Sequence, residues 1–366
     1  MAARNALDLT LSDDEELLDD EIRGPYLYRP RNSFEAEDFR ERFRFDREGA
    51  ERLLQQIGHR LQPQKVGEHT LSARDRLLLA LRFYAGGDFY YDIGDAHGPS
   101  KATVCRYVRD VTDALLMELM PNVVCWPAEL ELRYEIAARF YNVADMPSVG
   151  GLVDGTLVTI ATPSPAELEP QFVDRKGRHS LNCVAVCGPD MQFYYANASM
   201  PGSVHDSRVL GMSNLGRRLD AGWRPFPGAI LLGDSGYGLT DYLQTPIVSA
   251  NPTPQEEAFN VSHKKTRRIV ESAFGLLKMR FQCLHKKLRV NPQFCGEIVM
   301  ACITLHNLLV RQRPPEPDDD DDALPEDDEP VEDDMGGHMA DRRQQDVRAL
   351  GLARREQLLD HFRPRA

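Results

Sequence analysis

Four carboxylates are the residues of this sequence whose types and spacing could do chemistry. Asp154, Asp206, Asp234 and Glu271 lie within one 118-residue stretch, each where the pattern changes from strand to turn or opens a basic helix. Mg²⁺ is a hard ion that takes a few carboxylate oxygens and leaves positions open for phosphate oxygens. The sequence therefore predicts a two-metal phosphoryl-transfer site, with Mg²⁺ or Mn²⁺ as the cofactor.

Two of these acids close apolar runs that are predicted to be buried strands. Asp154 ends the run 149–153 and Asp234 ends the run 229–233. Neighbouring strands lie about 4.8 Å apart, so pairing would let the two carboxylates share ions roughly 3.5 to 4 Å apart. A single Asp in such a place is more often a turn or capping residue. Asp206 is the weakest of the four, because it could simply be the N-cap of the following helix.

Glu271 lies on a predicted amphipathic helix over 266–284 that is strongly basic. The apolar stripe of this helix consists of Val270, Phe274, Leu277, Phe281 and Leu284. Between Lys264 and Arg289 there are nine Lys or Arg and one acid, Glu271 itself. Such a strip is typical of contact with nucleic-acid phosphates, and the predicted contacts are Lys264, Lys265, Arg267, Arg268 and Lys278. The alternative is a solvated helix face on which Glu271 pairs with Arg267 at i, i+4.

The composition of the 366 residues, 42% of them apolar, predicts one substantial core plus a smaller domain. No apolar run approaches the 18 residues of a membrane helix and the N-terminus is acidic, so we expect an intracellular protein that does not enter a membrane. Seven cysteines without a C-x-x-C pair argue against a disulfide framework. Cys295, Cys302 and His306 could share a helix face, although buried core groups are more common than a zinc site there.

The net charge of −13 is distributed unevenly along the chain. Residues 1–22 carry −7, residues 316–334 carry −13 and residues 335–366 carry +3, which leaves +4 on residues 23–315. Acidic segments of this kind are typical of solvated, disordered chain. We expect a disordered acidic N-terminus over 1–25, a basic folded body, an acidic disordered linker over 313–340 and a short C-terminal helix over 341–366.

Residues 26–145 are predicted to be helical, and part of this region is typical of a helix-turn-helix. Helices are expected over 73–85, 91–96 and 101–119, with turns at Gly86-Gly87 and Gly98-Pro99-Ser100. The third helix should bury an apolar stripe and leave three basic side chains facing a DNA groove, namely Lys101, Arg106 and Arg109. The alternative is an ordinary three-helix bundle whose basic side chains are merely exposed.

From residue 146 the pattern becomes strand-rich and predicts a core over 146–312. Strands are expected over 179–187 and 192–199, joined by a hairpin turn at 188–191. Helices are expected over 206–217 and, at the end of this region, over 293–310. Mixed strands covered by helices, with acids at strand ends, predict an α/β fold in three layers with its site at the strand edge.

Six motifs in this order resemble those of the PIF/Harbinger transposases and the nuclease derived from them. They are Val153-Asp154-Gly155-Thr156, Arg175-Lys176-Gly177-Arg178-His179-Ser180-Leu181-Asn182, Pro201-Gly202-Ser203-Val204-His205-Asp206, Gly233-Asp234-Ser235-Gly236-Tyr237, Val270-Glu271-Ser272-Ala273-Phe274-Gly275 and Leu305-His306-Asn307. The resemblance covers roughly residues 70–310, and six ordered motifs are far more specific than any one.

The resemblance implies a ribonuclease-H-like DDE core with Asp154, Asp234 and Glu271 as the catalytic triad. Asp206 matches a further metal position, and Lys278 matches a basic position found in DDE enzymes more widely. The family implies a DNA substrate, a Myb-like DNA-binding partner protein and a nuclear location. An additional cytoplasmic location and assembly into a homo-oligomer are left open. The expected activity is metal-dependent DNA cleavage.

Two rival functions remain open at this point. One is a catalytically silent DNA-binding or adaptor protein whose acids are structural. The other is a carboxylate-pair hydrolase acting on sugars. The basic strip around Glu271 argues against a neutral substrate of this kind.

Overall fold

The structure, a computed structural model, describes residues 36–63, 70–313 and 342–363. The predicted acidic segments over 1–25 and 313–340 lie outside the described residues, apart from Arg313. The described residues form two compact units that divide between Val111 and Thr112. The predicted boundary at 145/146 differs from this division, because the helices between 112 and 144 pack with the second unit.

The first unit is helical, and two of its helices begin at a side chain that caps the first turn. Asp46 Oδ1 accepts from the Gly49 N–H at 2.6 Å, and Ser72 Oγ accepts from the Asp75 N–H at 3.2 Å. The helices are α1 (Ala36–Phe43), α2 (Arg47–Ile57), α3 (Ala73–Gly86), α4 (Tyr90–His97) and α5 (Lys101–Ala114), the last of which crosses the division between the units. These bounds agree with the predicted helices 73–85 and 91–96. The predicted third helix over 101–119 is confirmed, since α5 continues directly into a π-helical turn over Leu115–Leu119. A helix-turn-helix role in DNA binding stays a prediction.

The second unit is built on a five-stranded mixed sheet. Its strands are β1 (Val149–Thr159), β2 (Ser180–Cys187), β3 (Phe193–Pro201), β4 (Ile230–Leu232) and β5 (Leu243–Gln244), in the order β3-β2-β1-β4-β5. β1, β2 and β3 pair antiparallel, whereas β4 runs parallel to β1 and β5 runs parallel to β4. This order and these directions are consistent with the ribonuclease-H-like DDE core that the motifs imply.

Helices cover both faces of this sheet. The helices of the second unit after α5 are α6 (Met120–Val123), α7 (Leu130–Ala144), α8 (Glu169–Phe172), α9 (Asp206–Met212), α10 (Asn214–Asp220), α11 (Pro254–Arg280), α12 (Pro292–Gln312) and α13 (Arg342–His361). Val153 points toward α9 and α10, in one buried cluster with Val209 and Leu215. Its neighbour Asp154 contacts α11, so α11 lies on the opposite face, since successive strand residues alternate. The predicted helix–sheet–helix layering is confirmed.

Helix α12 is long and apolar enough to cross a membrane on length and composition alone, which differs from the expectation that no segment is. Here it is a core helix, 72% buried over its most apolar 18 residues. The Asn307 side chain, fully buried, accepts from the Phe193 N–H at 2.8 Å and donates to the Phe193 carbonyl at 2.7 Å. These bonds fix α12 to β3, as a buried amide must have partners.

Helix α13 packs on the β5 edge of the sheet. Arg355 Nη2 donates to the Thr245 carbonyl at 2.7 Å, and Leu358 is buried. A Cβ on Gly351 would lie 3.0 Å from the Thr240 backbone, so glycine permits this close approach. The C-terminal helix predicted over 341–366 is therefore part of the folded second unit.

Candidate active site

Asp154 and Asp234 lie on adjacent parallel strands. Leu152 pairs with Leu232 in the β1–β4 register. Asp154 and Asp234 each lie two residues after this pair. The expectation that Asp154 ends its strand is wrong, because β1 continues to Thr159 by pairing with β2 beyond the point where β4 stops. The predicted pairing of the two strands that carry these acids is confirmed.

Asp206 approaches β1 from the other face, directly over Gly155. A Cβ built on Gly155 would meet the Asp206 carboxylate. Glycine is therefore required at this position by the carboxylate and not by the backbone conformation. Asn182 Nδ2 holds this carboxylate, donating to Asp206 Oδ1 at 2.5 Å and to the Val204 carbonyl at 2.7 Å. His205, rather than Asp206, occupies the N-cap of α9.

Arg267 joins two of the predicted catalytic acids. Its Nη1 lies 3.2 Å from Asp154 Oδ2, and its Nη2 bonds Glu271 Oε1 across one helical turn. The i, i+4 pair considered for a plain basic helix is thus present. The same guanidinium also reaches across to β1, so it ties α11 to the sheet at the acidic cluster. Its side chain is 21% exposed, against 15% for Asp154 and 41% for Glu271.

The electrostatics show that the carboxylates crowd one another. Burial, together with Asp234 and Asp206, raises the pKa of Asp154 to about 7, against the lowering effects of Arg267 and the Gly155 N–H. Burial also raises the pKa of Asp206, with Asp234 adding to it and the Asn182 bond opposing it. Excess negative charge of this kind is relieved by a bound cation.

Tyr237 brings a buried hydroxyl to the same acids. Burial raises its pKa well above the ordinary value, and the negative charges of Asp206, Asp154 and Asp234 act in the same direction. Its hydroxyl has no hydrogen-bond partner among the described residues. A buried polar atom without a partner marks a place where a further ligand or water would be bound.

The donor set fits a hard divalent cation, since every candidate ligand is a carboxylate oxygen. The structure contains no group of three or more His, Cys, Asp or Glu side chains that is already arranged to hold a metal ion, within residues 36–63, 70–313 and 342–363. In the acidic cluster, Arg267 supplies positive charge between Asp154 and Glu271. A cation there would have to share or replace that guanidinium.

The sulfur and imidazole groups considered for zinc are engaged separately. Cys302 Sγ lies 3.7 Å from Cys283 Sγ, whereas Cys295 Sγ contacts the Val290 carbonyl. His306 Nε2 bonds the Met191 carbonyl at 2.9 Å, and burial lowers its pKa to about 3. All seven cysteines are free. These residues are buried core groups, as the sequence favoured.

The predicted DNA-binding side chains fall into three environments. Lys264, Lys265 and Arg268 are exposed on α11, whereas Arg267 lies in the acidic cluster. Lys278 is half-buried, and its Nζ donates to the Leu157 carbonyl of β1 at 3.3 Å. On α5, Arg106 is exposed while Lys101 and Arg109 are half-buried. Contact of these residues with DNA stays a prediction.

Three residues near the acids were not assigned a role from the sequence. Asn182 and Tyr237 stand at the ends of two of the family motifs, and this position is the signal that could have identified them. His263, one turn before Arg267, has its Nε2 3.3 Å from the Gln244 carbonyl. Burial lowers the His263 pKa to about 4, so the ring is neutral and fixes α11 against β5.

Comparisons with known proteins match the part of the chain that carries the four acids. The family described as DDE superfamily endonuclease matches residues 153–307, a range that contains all four acids. Human "Putative nuclease HARBI1" is 35% identical over 259 residues, covering 70% of this chain and 72% of that protein. "Putative nuclease HARBI1" of Xenopus laevis is 31% identical over 275 residues, which cover 73% of this chain and 76% of that protein.

A plant protein is also similar. "Protein ALP1-like" of Arabidopsis thaliana is 28% identical over 258 residues, 66% of this chain and 61% of that protein. No solved structure matches this chain.

Proposed function

This chain belongs to the family of Harbinger transposase-derived nucleases with a DDE superfamily endonuclease domain, and we propose that it is itself a divalent-metal-dependent DNA endonuclease. The observation that carries the proposal is the convergence of Asp154 and Asp234 from adjacent parallel strands, with Asp206 over Gly155 and Glu271 joined through Arg267. The carboxylate oxygens of these four acids are the proposed ligands. Two bound Mg²⁺ or Mn²⁺ ions would activate the attacking water and stabilise the leaving oxygen.

The chain's own residues keep the ligands in place. Asn182 orients the Asp206 carboxylate, and the Gly155 N–H donates to Asp154 Oδ1 at 3.0 Å. The Gly236 N–H donates to Asp234 Oδ1, also at 3.0 Å, which fixes that side chain in the turn after β4. Ligands whose orientation is already fixed lose less conformational entropy when they bind an ion.

The basic residues around these acids suit a phosphodiester substrate. Lys278 lies against β1 at Leu157, three residues beyond Asp154. Lys264, Lys265 and Arg268 are exposed on α11, which also carries Glu271. DNA is therefore the proposed substrate, with phosphate contacts supplied by α11. The Myb-like partner, a homo-oligomer and a nuclear location are further proposals that rest on the family alone.

Cleavage of supercoiled DNA in Mn²⁺ tests this function. We expect Asp234→Asn and Glu271→Gln each to lower the nicking rate by about a thousandfold or more, the order expected for a lost ligand. Glu257→Gln is the matched control, because Glu257 is an exposed acid on the same helix. Normal cleavage by both site variants would reject the assignment. No cleavage by the wild type, with Mn²⁺ still bound, would favour the silent DNA-binding protein.

A further inference from the structure

The end of β1 brings together two basic segments that are distant in sequence. The Ile160 N–H donates to the His179 carbonyl at 2.9 Å on one side. On the other side, the Ala161 N–H donates to the Leu288 carbonyl at 2.7 Å, and the Leu288 N–H donates to the Thr159 carbonyl at 3.0 Å. Residues 174–179 and 286–289 therefore flank the same short stretch of chain. We name these two segments together the β1-end patch.

The turn over 174–179 is held so that its basic side chains point outward. Asp174 is buried, and its Oδ1 accepts from the N–H groups of Lys176 and Arg178, each at 2.9 Å. Gly177 has a φ of +71°, which closes the turn at a conformation that favours glycine. The outward side chains Arg175, Lys176 and Arg178 are exposed.

The second segment is anchored in a comparable way. Leu288 is buried at the end of β1, and the residues around it emerge at the surface. These exposed neighbours are Lys286, Lys287 and Arg289. The patch thus carries six basic side chains. Its acids are Asp174, which pairs with Arg178 at 3.4 Å, and the adjacent Glu169, whose Oε1 lies 2.9 Å from His179 Nε2.

The patch is continuous with the acidic cluster. The Gly202 N–H donates to the Ser180 carbonyl at 2.8 Å, so the segment that leads to Asp206 lies beside the residues that follow the turn. Lys278 contacts β1 at Leu157, between Asp154 and the patch. Ile160 lies six positions after Asp154, which is about 20 Å along a strand. That distance corresponds to about six base pairs at 3.4 Å each.

We propose that the β1-end patch binds the phosphate backbone of duplex DNA about six base pairs from the phosphodiester held at Asp154 and Asp234. The proposal rests on the DNA-cleaving function proposed above and adds a substrate-positioning surface to it. Exposed cations at the end of the strand that carries Asp154 suit a ladder of phosphates, because an extended polyanion can contact the patch and the site together.

Two triple variants of the full chain test the patch. One is Arg175→Gln, Lys176→Gln, Arg178→Gln, and the other is Lys286→Gln, Lys287→Gln, Arg289→Gln. The second variant leaves the Asp174 turn intact, so it answers the question even if the first disturbs folding. The matched control is Arg139→Gln, Arg217→Gln, Arg218→Gln, which removes the same charge from exposed positions on α7 and α10.

The measurement is fluorescence anisotropy of a 30-base-pair random-sequence duplex across a NaCl series, without divalent ions. Each patch triple should weaken binding at least tenfold near 0.1 M salt. It should also reduce the salt slope by about 2 to 3, the expectation for three lost phosphate contacts. The control should change the slope by less than about one. Patch triples that behave like the control would overturn the proposal and leave the patch to an acidic peptide such as residues 316–334.

Failure of the patch and failure of the nuclease function are distinguishable. Anisotropy needs no cleavage, so a wild type that binds through the patch but never nicks DNA would reject only the nuclease function. Conversely, nicking by the wild type with unchanged binding by both patch triples would reject only the patch. Circular dichroism and Mn²⁺ titration of each variant should match the wild type, because the substituted side chains are exposed and none is a proposed ligand.

Discussion

Replacing Arg267 by glutamine should have opposite effects on stability and on metal binding. Glutamine keeps part of the side-chain stem but removes the charge that bridges Asp154 and Glu271. Without metal, the variant lacks the positive charge that offsets the negative carboxylates of Asp154, Asp206 and Asp234 in this buried cluster. Breaking a buried ion pair costs about 3 to 5 kcal/mol. The second ion pair of Arg267, with the exposed Glu271 carboxylate, contributes little. We therefore expect a loss of about 2 to 3 kcal/mol in the free energy of unfolding.

The same charge opposes a divalent ion at the acids. At an effective dielectric of about 20, a divalent ion and a guanidinium about 5 Å apart repel each other by roughly 6 to 7 kcal/mol. Because the arginine side chain can move aside, only part of this energy is regained when it is removed. A gain of about 1.4 to 2.8 kcal/mol corresponds to Mn²⁺ binding that is ten- to a hundredfold tighter.

Two measurements check this prediction on the full chain. Thermal unfolding in EDTA should show a melting temperature about 5 to 10 °C lower for Arg267→Gln, and isothermal titration with Mn²⁺ should show the tighter binding. Arg268→Gln is the control, since Arg268 is the next residue, carries the same charge and is exposed. Weaker Mn²⁺ binding by Arg267→Gln would refute the reasoning and make Arg267 a support for the ligands rather than a competitor of the ion.

Two further predictions concern pH and DNA contact. Folding raises the pKa of Asp154 from its ordinary 3.8 to about 7, so the folded state holds the proton more tightly and the metal-free protein loses stability as pH rises across this window. The melting temperature of Asp154→Asn relative to wild type should therefore rise between pH 4 and 7 and then level off, whereas a constant difference would mean that Asp154 does not titrate in this window. Replacing Lys101, Arg106 and Arg109 by alanine should flatten the salt dependence of DNA binding by up to about three units of slope. An unchanged slope would make these helices purely architectural.

Periodic segments were predictable because local pattern decides them. The five stripe residues of α11 and the turn after it are all buried, and the hairpin β2–β3 forms around the predicted turn at 188–191. The extent of β1 was not predictable in the same way. Its residues after Asp154 alternate only weakly in polarity, and they form a strand because β2 pairs with them as far as Thr159. Tertiary pairing, rather than the residues themselves, sets that boundary.

The roles of charged residues in the site depended more strongly on the fold. Arg267 is one of nine basic residues in its strip, and no local signal separates it from Arg268. Helical geometry decides between them, because position 267 faces β1 while position 268 faces away from the acidic cluster. A side chain expected at the DNA surface is thus part of the acidic cluster.

Asp206 shows why a site of this kind needs the three-dimensional structure to be identified fully. Strand alternation directs Asp154 toward α11, so an acid at the start of α9 approaches from the opposite side of the sheet. The Asp206 carboxylate lies where a Cβ on residue 155 would be, next to Asp154 in the chain. After burial, Arg267 and Asp234, it also adds to the effects on the raised pKa of Asp154. Gly155 thus leaves room beside Asp154 for the carboxylate of a second acid. Asp206, which in the sequence could have been an ordinary helix cap, is therefore the acid whose position depends most on its contact with Gly155.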